Sequence, residues 1–150
     1  MLNRITVEQV ETLNSPYLEL FTGFMCQYGF RREKDIDTAI KLYISAYESN
    51  LFVCARLIGL IYADLDNDES IKWMERANEH DDYTAMANLC HLYIKHSINI
   101  DRGIELIEKA IDNNCTHAMY VYNIHAHKEQ YKNLFDSEKA TKYLIDGMKC

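Results

Sequence analysis

A chain of 150 residues is long enough to bury one continuous core and too short for two independent ones. Its formal charge of -7, with acids clustered at Asp64, Asp66, Asp68 and Glu69 and again at Glu79, Asp81 and Asp82, repels phosphate backbones and excludes nucleic acid as a partner. No apolar run approaches the ~18 to 20 residues of a membrane span, and five cysteines at irregular spacing without a C-x-x-C argue against a disulfide framework and a zinc site.

In chain order, the opening Met1 to Thr6 lacks a basic region followed by an apolar stretch, so a cytoplasmic protein is expected. Thr6 with Gln9 three residues later reads as a capping box, and Val7, Val10 and Leu13 give residues 1–14 an apolar edge, which predicts a short capping helix. Ser15-Pro16 then supplies an N-cap and a first-turn proline. A first amphipathic helix runs past Gly23 and Cys26, and a second occupies Asp37 to Ala46. The same alternation follows three more times. Gly59 with Tyr62 precedes Asp68 to Ala77, Cys90 with Tyr93 precedes Asp101 to Ala110, and Asn123 with Ala126 precedes a looser copy through Ala140, Tyr143, Leu144, Gly147 and Met148.

The second helices align without gaps. Each opens with an aspartate read as the N-cap (Asp37, Asp68, Asp101), then a small residue (Ala39, Ser70, Gly103, with Ala140 in the last copy) and apolar residues that make one buried face. Anchors Gly23, Gly59, Cys90 and Asn123 lie 36, 31 and 33 residues apart, the period of a helix-turn-helix solenoid unit. Nine helices are therefore expected in one domain, divided into a cap at 1–14 and repeats at 15–49, 50–80, 82–113 and 115–150.

These residues resemble the Sel-one-like repeats, a branch of the tetratricopeptide superfamily whose units read roughly A-x-x-x-L-G-x-x-Y, a loop, then D-x-x-K-A-x-x-W-Y-x-K-A. The best match is Ala85 to Tyr93 with Asp101 to Ala110 behind it, and the likeness extends over about residues 16 to 148. Cys90 and Asn123 stand where the family has Gly, and Cys26 and Ala126 where it has Tyr. The resemblance implies an all-α, right-handed α-α superhelix of about four helix pairs. Such stacks present the first helix of each pair on a concave surface that recognises proteins or peptides. In related tetratricopeptide repeats the groove residues lie three before, and one, four and five after, the small position. Carried over, that offset selects Leu20, Phe24, Gln27 and Tyr28; Arg56, Leu60, Ala63 and Asp64; Ala87, His91, Ile94 and Lys95; and Tyr120, Ile124, His127 and Lys128. The partner-binding candidates among them are Phe24, Gln27, Tyr28, Arg56, Asp64, His91, Lys95, Tyr120 and His127.

Other chemistry is weighed against packing. Cys54 falls in the small slot of Ala85 and Ala118, and Cys90 in that of Gly59, so both read as buried packing; Cys115 and Cys150 fall in a turn and at the terminus. Tyr43, Tyr62, Tyr93, Tyr143 and Trp73 read as mostly core. Residues 64–75 carry acids at the spacing of an EF-hand calcium loop, but Glu69 stands where that loop needs Gly, and the repeat register requires helix from there. His125-Ala-His127 cannot share a helical face, being ~200° apart, and surface or groove positions are the expectation for all six histidines. With no H-E-x-x-H, G-x-S-x-G or glycine-rich phosphate loop, the expectation is no enzyme, no cofactor and no metal. Expected instead is a non-catalytic module for a protein partner, as monomer or homodimer, with three alternatives: an immunity protein neutralising a basic bacterial toxin, an adaptor or chaperone-like scaffold, and calcium binding at the acidic turn.

Overall fold

A computed structural model of the chain describes residues 15–147, so the expected capping helix with Thr6, Val7, Gln9, Val10 and Leu13 lies outside the described residues, as do Met148 and Cys150. Among those described there are eight α-helices, one 3-10 turn and no strand. They are α1 Pro16–Tyr28, α2 Ile36–Glu48, α3 Val53–Tyr62, α4 Asn67–Asn78, α5 Tyr83–His96, α6 Ile100–Asp112, α7 Thr116–Ala126, the 3-10 turn Glu129–Tyr131, and α8 Ser137–Gly147. The chain divides into two compact units, residues 1–73 and 74–150, with the division inside α4. In the first, α1 packs on α2 and α2 on α3; in the second, α5 packs on α6, and α7 packs on α5, α6 and α8.

Why each helix begins where it does corrects the expected caps. Asp35, not Asp37, caps α2, its carboxylate accepting from Thr38 N (3.0 Å) and from the Thr38 hydroxyl (2.6 Å). Asp66, not Asp68, caps α4 by accepting from the backbone N–H of Asp68 and Glu69. Asn99 stands at the start of α6 without a side-chain cap bond, and Asp136 caps α8. Asp37, Asp68 and Asp101 sit in the first turn, where a negative charge still complements the exposed N–H dipoles. Asp-x-Asp offers two candidates, and the cap is the one whose backbone is still extended, as Asp35 is at φ -142°. Ser15 starts α1 through its backbone carbonyl alone, bonded by Leu18 N and Glu19 N, with Pro16 in the first turn. The helix α1 stops at Gly29, whose φ of +69° lets Gly29 N and Phe30 N both close on the Met25 carbonyl.

Small residues set the helix spacing. In the first unit a Cβ on Gly23 would lie 2.6 Å from the Tyr43 ring, so only glycine lets α1 lie against that buried aromatic. Tyr43 in turn donates its hydroxyl to Gln27 (2.9 Å). Ser70, in the small slot of α4, donates to the Gly59 carbonyl of α3 (2.8 Å). In the second unit the slots trade places. Gly103 of α6 comes so close to Cys90 of α5 that a Cβ would meet the Cys90 Cα at 3.2 Å. Cys54 and Cys90 are fully buried, and burial pushes both thiols up to about 12, which keeps them protonated and inert. Trp73, Tyr43 and Tyr93 are core as expected, whereas Tyr62 and Tyr143 are only half-buried.

Candidate functional site

The expected partner-binding residues fall on α1, α3, α5 and α7 or just beyond them, and all nine reach solvent at least in part. The same helices bury Gly23, Cys26, Gly59, Cys90 and Ala118, so each has a packed face and an open one. In the first unit Phe24 and Tyr28 are exposed with ring centroids 4.6 Å apart. Gln27 and Arg56 are half-buried, Gln27 holding the Tyr43 hydroxyl, and Asp64 is exposed past the end of α3. In the second unit His91 and Lys95 are exposed on α5 and Tyr120 on α7, while His127 closes α7 with Nδ1 3.0 Å from the Asn123 carbonyl oxygen. Two other residues given by the same offset, Ala87 and Ile94, are buried and belong to the core.

One of the six histidines departs from the surface expectation. His125 is 2% exposed, its ring stacked on Phe135 and edge-on to Tyr131, with Nε2 3.2 Å from Nδ1 of His91. Burial, and then the neighbouring His91 and Lys128, depress its pKa to about 4. Burial likewise lowers that of His91, helped by Lys128, Lys95 and His96. At neutral pH both rings are neutral, one nitrogen carrying the proton between them. His91 therefore straddles the core and the surface. The ~200° separation of His125 and His127 is realised as one buried ring and one exposed ring.

The acidic turn is not a calcium loop. Residues from Asn67 onward are helical, Asp66 is occupied in capping, Ser70 is bonded to Gly59, and Glu75 turns to α5 and α6. There it accepts from the Tyr93 hydroxyl and from Arg102 through Nε (3.2 Å) and Nη2 (2.9 Å). Burial raises the Glu75 pKa, but the bonds from Arg102 and Tyr93 outweigh it and hold the carboxyl below its usual value. Sequence reasoning missed this clasp, and also the bond by which the half-buried Ser45 donates to the buried Glu19 (2.8 Å).

A depression of about 560 Å³ lies in the second unit between α6 and residues 132–139, lined by Glu108, Tyr122, Lys132, Phe135, Asp136 and Lys139. Its Asp136 is occupied in capping α8, and Lys132 pairs with Glu129. Two further exposed aromatics, Tyr17 and Phe21, share α1 with Phe24 and Tyr28, and the repeat offset passed over both. Their four-three-four spacing was the available signal.

No family model and no curated protein matches the chain. Solved structures do. The chain is similar to a Sel1 repeat protein from Oxalobacter formigenes, with a TM-score of 0.74 and 16% identity over 95% of this chain and 61% of that one. It is also similar to a protective antigen present in uropathogenic Escherichia coli strains that displays an SLR fold, with a TM-score of 0.74 and 18% identity over 93% of this chain and 32% of that one. The fold of this chain is thus the Sel1-like repeat fold, and the chain spans less than two thirds of the length of either protein.

Proposed function

We propose that the chain is a non-catalytic interaction module that takes a protein partner on the open faces of its first helices: Phe24, Gln27, Tyr28, Arg56 and Asp64 in the first unit, His91, Lys95, Tyr120 and His127 in the second. The observation that supports this reading is that one fixed offset from the small packing position lands on solvent-reaching side chains in every pair, two of them large exposed aromatics of the first unit and one of the second. Tyrosine and arginine are the side chains that anchor protein interfaces, because they bring large stiff area with a polar tip. Among the described residues no helix is long and apolar enough to cross a membrane.

The specific version is an immunity protein whose negative charge steers it onto a basic toxin; an adaptor joining two proteins is the other. Capture from a host lysate, comparing wild type with a Lys95→Ala, Tyr120→Ala, His127→Ala variant, tests the common reading. These three sites leave the His91 and His125 contact in place. A partner held by wild type and lost by the variant at unchanged helicity is the expected result, since truncating an anchoring Tyr alone costs about 10-fold or more in affinity. Equal retention would remove the second unit's face from the reading. Growth arrest by the captured partner, relieved on co-expression, would select the immunity version.

A further inference from the structure

On α1 the exposed residues Tyr17, Phe21, Phe24 and Tyr28 are 69, 58, 49 and 63% exposed. At 100° per residue they lie within an arc of about 60°, and the buried Glu19, Thr22, Gly23 and Cys26 occupy the opposite side. The helix is thus two-faced, with one side against α2 and an aromatic row on the other. The four-three-four spacing is that of a helix-to-helix seam.

The order of the row is its most informative property. Read from either end it is Tyr, Phe, Phe, Tyr, symmetric about the midpoint between Thr22 and Gly23. A two-fold interface requires that residue i meet j while j meets i, and a palindromic row satisfies this when two such helices cross antiparallel. We propose that the aromatic row of α1 packs against the same row of a second copy of this chain, Tyr17 facing Tyr28 and Phe21 facing Phe24 across the axis.

Charge favours a second copy here. A molecule of net charge -7 repels itself over most of its surface, yet the only acid of α1, Glu19, is buried against Ser45, and α1 has no basic residue. Four aromatics exposed to this degree offer about 500 Å² per copy, hence about 1,000 Å² in the pair, which is the lower bound for a specific interface. The dimer is accordingly concentration-dependent, with the tyrosine hydroxyls at the two ends of the seam reaching water. Phe24 and Tyr28 also belong to the partner-binding set, so a second copy and a protein partner compete for these two residues. The inference does not depend on the partner reading.

Sedimentation equilibrium of the full chain from low to high micromolar concentration tests it. Wild type is expected to pass from monomer to dimer, and Phe21→Glu with Phe24→Glu to stay monomeric with unchanged circular dichroism, both sites being exposed. Tyr17→Glu combined with Tyr28→Lys is expected to dimerise still, in a salt-sensitive way, because the antiparallel seam sets opposite charges together; Tyr17→Lys with Tyr28→Lys is expected to dissociate. A wild type that remains monomeric overturns the proposal, and if it then loses a captured protein on Phe21→Glu the row belongs to that protein. A dimer that survives Phe21→Glu with Phe24→Glu uses another surface. Equal dissociation of both charge pairs overturns the antiparallel register.

Discussion

The two units solve one packing problem with opposite arrangements. In the first, glycine sits on the first helix, and the second helix sends a full tyrosine ring into the space it leaves. In the second, glycine sits on the second helix, and the approach is backbone to backbone at Cys90. Their buried polar groups differ as well. The first unit places the Tyr43 hydroxyl on Gln27 and Ser45 on Glu19, whereas the second holds the Glu75 clasp and a buried imidazole, His125. Period and face can therefore be shared while the chemistry inside differs, and among the described residues the buried imidazole belongs to the second unit alone.

Removing Tyr43 should have the largest effect. Tyr43→Ala empties the space against Gly23 and leaves Gln27 without its donor, and a loss of about 3 to 5 kcal/mol in urea unfolding is expected. A loss below about 1 kcal/mol would mean that α1 and α2 collapse onto the gap, and the contrast between the units would fail.

Acid should separate the units next. The folded-state pKa of His125 is depressed from 6.5 to about 4, so the unfolded chain binds the extra proton in between. Stability from this group is full above about 6.5 and falls as pH drops toward about 4, by about 3 kcal/mol in all. A His125→Phe variant should flatten that slope, read as the urea midpoint against pH, and hydrogen exchange should place the acid-induced opening in residues 74–150. An unchanged slope in the variant would show that His125 is not the sensor.

Glu75→Gln is a smaller test of the second unit's polar interior. It weakens the charge-assisted bonds from Arg102 and Tyr93, and since Arg102 is half exposed the cost should be about 1 kcal/mol. Stability contributed by the Glu75 carboxylate is present above its unfolded value near 4.5 and is lost on further acidification, a window below that of His125. Lys109→Ala marks the floor. Its partner Asp81 is exposed, so no more than about 0.5 kcal/mol should be lost by the same assay.

The helix pairs were legible because burial imposes a period. Small and apolar residues recurring at helical spacing can face only a neighbouring helix, so Ala39, Ser70 and Gly103 marked the packed seams without any coordinate. The cap positions were half legible. Asp35-Ile36-Asp37 and Asp66-Asn67-Asp68 each offer two carboxylates, and where the chain turns into the helix decides between them.

Composition, period and the identity of the small residues determined an all-α chain of helix pairs and, except at Ala87 and Ile94, which positions of the first helices reach solvent. Tertiary structure alone decided which polar residues went inside: that His125 meets His91 and that Glu75 is held by Tyr93 and Arg102. The reason is physical. A period is a property of one helix and is written along it, whereas a polar group's burial depends on the partner that satisfies it, and that partner lies 16 to 34 residues away in the chain for Tyr43, Glu75 and His125.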